Sequence, residues 1–156
     1  MPIEIERKFL VTSADYRNLA EPVHYRQGYL AILPDREIRV RIAGKSGFIA
    51  LKSKLSETKR YEFEYAVPFE EAVQMYEIFC KGQRIEKYRY KIPYEGNLWE
   101  VDEYLGDNAG LVVAEVELED AGQPFEKPAW TGQEVSNDDR YLNAALSVKP
   151  YKFWKT

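Results

Sequence analysis

Charged side chains recur at every second position in seven stretches of this sequence, and their signs are sorted by stretch. Acidic pairs stand at Glu4 and Glu6, Glu62 and Glu64, Glu100 and Asp102, and Glu115 and Glu117. Basic pairs stand at Arg39 and Arg41, Lys52 and Lys54, and Lys87 and Arg89; Lys8 and Lys91 prolong two of the runs. Carboxylate oxygens without histidine or thiol companions suit hard cations such as Mg2+ or Mn2+. Lys and Arg at alternate positions make charge-assisted contacts to phosphate oxygens, the guanidinium at two points and the ammonium at one. The combination points to phosphoryl transfer, where positioning and charge neutralisation do most of the work. Nucleophilic chemistry is poorly supplied. The chain has one histidine, His24, and one cysteine, Cys80, and no Gly-x-x-x-x-Gly-Lys phosphate loop.

The spacing says what must position these groups. Successive strand side chains point to opposite faces, so each run is a strand with one charged face and one largely apolar face. For a single strand, a solvated charged face is the ordinary reading. Sorted blocks of like charge on neighbouring strands repel, however, unless something intervenes. A polyanion with a divalent cation reconciles both signs, which places the charges on the inner surface of a closed barrel; closure also removes the edge strands. Turns are read at Ala43–Gly47, Pro93–Asn97 and Gly106–Gly110. Helices are expected over 14–20, 69–81 and 138–146, the last capped by Ser136 or Asn137. Lys54 and Lys91, near strand ends, are read as solvated, whereas Arg60 and Glu119 stand either inside or at a loop end. The fold class is therefore mainly antiparallel β (α+β), an eight-stranded barrel with a few helices packed outside.

The 156 residues fit one domain. A net charge of −4 lacks the basic excess of a general nucleic-acid binder, so no nucleic-acid partner is expected. The charged start, Met1–Lys8, is no secretory signal, and no apolar stretch reaches membrane-spanning length. With a single cysteine, a cytoplasmic protein is expected. The tail 147–156 has no assigned role, and its aromatic residues are compatible with a homodimer.

Glu4-Ile5-Glu6-Arg7-Lys8 resembles the Glu-x-Glu-x-Lys signature of the triphosphate tunnel metalloenzymes, the CYTH superfamily. Arg39-Val40-Arg41, Lys52, Glu62-Phe63-Glu64, Lys87-Tyr88-Arg89, Glu100 with Asp102, and Glu115-Val116-Glu117 follow in that family's order. Arg26-Gln27-Gly28-Tyr29-Leu30 and Asp139-Arg140-Tyr141 are similar to its short bacterial members. The resemblance covers residues 2–146 and implies a barrel forming a tunnel for a small-molecule triphosphate. By resemblance, Lys8, Arg39, Arg41, Lys52, Lys87 and Arg89 bind phosphate. Glu4, Glu6, Glu62, Glu64, Asp102, Glu115 and Glu117 surround the metals. Lys8, Arg39, Arg41 and Glu62 are taken as the catalytic set. Tyr29 either orders the C-terminal helix near a tunnel mouth or packs as an ordinary strand tyrosine. The implied activity is metal-dependent hydrolysis of inorganic tripolyphosphate. The alternatives are adenylate cyclisation, thiamine or nucleoside triphosphate hydrolysis, and non-catalytic polyphosphate binding; Trp99, Trp130 or Tyr94 could stack a base, although packing outside the barrel is favoured for them.

Overall fold

In the computed structural model, residues 3–154 are described. Every alternating run forms a strand: β1 (Ile3–Val11), β2 (Val23–Ile32), β3 (Arg36–Ala43), β4 (Ser46–Lys54), β5 (Lys59–Val67), β6 (Arg84–Tyr94), β7 (Asn97–Tyr104) and β8 (Val112–Glu117). All pairings are antiparallel, in the order β5-β4-β3-β2-β6-β7-β8-β1. β1 returns to β5 through Ile3↔Tyr61, Glu4↔Arg60 and Ile5↔Lys59, which closes eight strands into a barrel. A ninth strand, β9 (Thr131–Glu134), joins the end of β1 at Phe9↔Glu134 and Val11↔Thr131. The expected hairpins turn at Gly44 and at Glu95-Gly96, where left-handed backbone is needed (φ +58°, +48° and +82°).

The apolar strand faces look outward and are covered over much of the barrel, whereas Leu51 of β4 and Phe63 and Tyr65 of β5 stay exposed. Helix α1 (Phe69–Phe79) lays Ala72 and Tyr76, with Cys80 just beyond it, on Val40 and Ile42. Approach is close: a Cβ on Gly28 would sit 2.4 Å from Cβ of Cys80. Another part of the wall is sealed by Phe9, Tyr16, Trp99 and Trp130, with Phe125 against them.

The third cluster differs in kind. Tyr29, Ile85, Tyr104 and Val113 share the inward parity of the charged residues, and Ala144 and Leu146 of helix α2 (Asn143–Val148) pack on them. This helix therefore closes one end of the barrel, whereas α1 lies outside as expected. Two of the expected helices are shorter than their sequence signals. Residues 14–20 yield only a 3-10 turn at Asp15–Asn18, with no side-chain cap. The helix expected over 138–146 splits into a 3-10 turn at Asp139–Tyr141 and α2, because Leu142 is extended (ψ 140°). Ser136, expected as its cap, instead accepts from the Lys8 amide and donates to Glu134. The tail folds back: Tyr151 and Trp154 pack against the third cluster, and both stack edge-on in a chain with Tyr141.

Candidate active site

The inward faces of the eight strands enclose a cavity of about 200 Å³. Five cations, Arg39, Arg41, Lys52, Arg89 and Lys91, face it together with seven carboxylates: Glu4, Glu6, Glu62, Glu64, Glu100, Glu115 and Glu117. Alternation along each strand is what aims them all one way. The register then sets opposite signs side by side, since Lys52 is the cross-strand partner of Glu62. Lys52 Nζ lies 3.0 Å from both Glu4 and Glu62, Arg39 lies 3.6 Å from Glu62, and Arg41 lies 3.3 Å from Glu64.

The other three expected site residues lie one layer deeper. Asp102 is 1% exposed and uses both oxygens: Oδ1 accepts from Nε of Arg89, and Oδ2 accepts from Nη2 of Arg89 and from Nζ of Lys87 at 2.7 Å. Lys8 is held between Glu115, at 3.3 Å, and the Tyr141 carbonyl, also at 3.3 Å. Tyr29 is fully buried against Ala144 and Leu146, so it does meet the C-terminal helix. Lys91 lines the cavity although exposed, Lys54 reaches Asp139 at 3.8 Å, and Arg60 is turned inward onto Glu37 at 3.7 Å. Glu119 lies beyond the end of β8 and is exposed.

Crowding governs the titration of these groups. Burial pushes Glu4 upward, but Lys52 and Arg39 together hold the carboxyl below the usual range. Glu6, two residues away, is raised well above that range by burial and by the Glu115 and Glu4 charges. Against its own burial, Glu115 is held well below the range by Lys8, by a hydrogen bond from Glu6 and by Arg89. The two crowded carboxyls are thus pushed in opposite directions, Glu6 toward its neutral form and Glu115 toward its charged one. Desolvation and the Glu100 carboxylate raise Glu117 to about 7. Burial draws the Lys87 ammonium below the lysine range while Asp102 opposes it; Asp102 itself is kept ionised, against burial, by Arg89 and Lys87.

This is a donor set that fits a hard cation. All the donors are oxygens, and carboxylates crowded in this way are the charge that a divalent cation neutralises. Among the described residues, no three acidic side chains converge on one point as ready-made ligands. Two buried donors face the same need from the other side: Nε of Arg39 and Nε2 of Gln27 have no hydrogen-bond partner. Buried donors left unpaired are costly, and of these two residues Arg39 lines the cavity.

Sequence reasoning placed Glu100 in an inward charged pair without a specific role, and it missed three wall residues. Glu100 contacts Arg89 at 3.3 Å, and Tyr25 lies under both Arg41 and Arg89. Gln27 accepts from Nε of Arg41. Asn143, from α2, faces the cavity. Tyr25 and Gln27 share the inward parity of their strands, which is the signal that would have found them; Asn143 has no such signal.

The comparisons agree with this geometry. The chain is 47% identical over 152 residues to the inorganic triphosphatase of Acetivibrio thermocellus, covering 97% of each chain. It is 40% identical over 150 residues to the inorganic triphosphatase of Nitrosomonas europaea, covering 93% of this chain and 97% of that one. The crystal structure of the inorganic triphosphatase NE1496 superposes with a TM-score of 0.69 at 37% identity, over 95% of this chain and 96% of that one. The CYTH domain model matches residues 2–146, and with an eight-stranded barrel charged within, the chain belongs to the CYTH domain family.

Proposed function

We propose that this chain hydrolyses inorganic tripolyphosphate inside its barrel, with Mg2+ or Mn2+ as cofactor, in the cytoplasm. One observation carries the reading: a cavity of about 200 Å³ inside the barrel whose wall interleaves five Lys and Arg side chains with seven carboxylates. A polyanion alone would be repelled by the carboxylates and a cation alone by the bases; a metal–polyphosphate complex satisfies both.

Arg39, Arg41, Lys52 and Arg89 would grip phosphoryl oxygens and spread the negative charge that develops during transfer. Glu62 holds Lys52 and Arg39 in place. Asp102, its oxygens committed to Lys87 and Arg89, orients those cations rather than binding metal. Lys8 stays close to Glu115 and meets the end of the substrate nearest α2. Glu4, Glu6 and Glu117, with Glu64 and Glu115, would hold the metal. When bound, that ion supplies charge neutralisation and lowers the pKa of an attacking water. The adenylate cyclase alternative loses two aromatic candidates for an adenosine pocket, because Trp99 and Trp130 are buried in the outer cluster. A homodimer through tail aromatics would rest mainly on exposed Phe153, since Tyr151 and Trp154 pack inward.

Phosphate release from tripolyphosphate and from ATP, measured with each metal and with chelator, tests the reading. We expect metal-dependent release from tripolyphosphate, abolished in an Arg39→Ala/Arg41→Ala variant. No release, or cyclic AMP formed from ATP, would overturn it.

A further inference from the structure

Asn143 begins α2 and faces the same cavity as Arg89 and Glu115. Its Oδ1 accepts from Nζ of Lys87 at 3.3 Å and from the hydroxyl of Tyr104 at 2.8 Å. An ammonium has only donors to offer, so the amide cannot turn over without setting its NH2 against Lys87. Lys87 is fully buried and held by Asp102 at 2.7 Å, and Tyr104 is 2% exposed, so neither has room to move away. The orientation of the amide is thereby fixed. Its acceptor side is spent on Lys87 and Tyr104, both bonds being made by Oδ1, and its two Nδ2 protons are left for the cavity.

We propose that Asn143 is a substrate-binding residue, its Nδ2–H group donating to a phosphoryl oxygen of bound tripolyphosphate at the end of the barrel that α2 closes. This assignment rests on the tripolyphosphate reading of the cavity. The chemistry suits the place. The other side-chain donors in the cavity wall are mostly cations, and each of them also repels a divalent metal. A neutral amide donates to the anion without that penalty, and one held from behind by two donors loses little freedom on binding.

Two variants separate this role from a purely structural one. Asn143→Asp keeps an acceptor for Lys87 and Tyr104 but removes the donor and adds a charge that opposes phosphate. Asn143→Ala removes donor and acceptor together and adds no charge. We expect the KM for tripolyphosphate, and its Kd by calorimetry with calcium in place of the reactive metal, to rise about tenfold in Asn143→Ala and further in Asn143→Asp, with kcat changed much less. If Asn143 only positions Lys87, then Asn143→Asp, which keeps that acceptor, is weakened less than Asn143→Ala, and the proposal falls. It falls equally if both variants match wild type, or if only the charged one is weakened. Melting curves without ligand show whether each variant is folded, and Asn143→Ala, compared with wild type on Kd alone, decides the donor's part should the carboxylate unfold α2. A wild type that neither binds nor cleaves tripolyphosphate overturns the proposed function and this assignment together. A wild type that does both, beside variants that match it, overturns this assignment alone.

Discussion

Glu4 and Glu6 stand two residues apart on the same face of β1, yet their environments shift them in opposite directions. Glu4 is held below its unfolded value of 4.5 with Lys52 at 3.0 Å, so it contributes stability above that pH, and this is lost as pH falls through its lower folded value. Glu6 is held above 4.5, so its neutral form contributes stability below pH 4.5, and that contribution is lost as pH rises toward its folded value. With metal chelated at pH 7, Glu4→Gln should therefore lower the melting temperature. Glu6→Gln should raise it by about 2–4 °C, which for a chain this size is about 1 kcal/mol. Both should lose at least about 100-fold in metal-dependent hydrolysis, as befits groups near the ion. Melting curves from pH 5 to 8, with and without Mg2+, check the signs; equal shifts for the two variants would mean that the carboxylates do not crowd as described. These residues are legible in sequence because a strand with sorted charge announces its own inward face. Gln27 and Tyr25 show only which way they point, since a neutral side chain in an alternating run otherwise looks like any packing residue, and Asn143, on a helix, lacks even that signal. The deeper placement of Lys8, Lys87 and Asp102 is equally hidden, because alternation says which way a side chain points and not how far from the axis its partners hold it.

Among the elements, the strands are the legible part, since period two is imposed by the need to separate a charged bore from an apolar wall. The helices are less so. Residues 138–146 have helical spacing at Tyr141, Leu142 and Ala145, but extended Leu142 breaks the run, and Ala144 and Leu146 drop into the barrel end. β9 is illegible for a plainer reason. Thr131–Glu134 has no apolar face of its own and is a strand only because β1, far away in sequence, offers it an edge, with Arg7 and Glu134 joined at 2.6 Å. Helix α1 sits where it does through two glycines. A Cβ on Gly28 would meet Cβ and Sγ of Cys80 at 2.4 and 2.6 Å, and one on Gly47 would meet Ala72 at 2.6 Å. Gly28→Ala should therefore cost about 1–3 kcal/mol by pushing the helix off β2. Because both of the nearest atoms belong to Cys80, Gly28→Ala combined with Cys80→Gly should cost clearly less than the sum of the two single changes. Denaturant unfolding of the four species measures this coupling. Strict additivity would mean that the contact is not what limits the approach.

At the scale of the whole molecule, the barrel is closed by unequal seams. β6 and β7 pair over eight residues each, from Lys87↔Tyr104 to Tyr94↔Asn97. β1 and β5 pair over three, Ile3–Ile5 with Lys59–Tyr61, helped by the Glu6 amide donating to the Thr58 carbonyl at 3.0 Å. A short seam has little to lose by opening, so its amides should exchange with solvent well before those of β6 and β7. The charges meet across this same seam. Glu4 on β1 reaches over β5 to Lys52 on β4, and Lys52 also holds Glu62 on β5. Tripolyphosphate with its metal, gripped at once by groups on β1, β3, β4, β6 and β8, would tie the two sides together, and it binds only while they are closed. Ligand at one hundred times its Kd stabilises the closed form by about 2.7 kcal/mol, so exchange at Ile3–Ile5 and Lys59–Tyr61 should slow by about 100-fold. Amides of β6 and β7 that already exchange through local fraying should change much less. Hydrogen exchange followed by mass spectrometry, with and without tripolyphosphate and a non-reactive divalent ion, reads both effects. A seam already as protected as β6–β7, or one unchanged by saturating ligand, would mean that the charged bore does not hold the barrel shut.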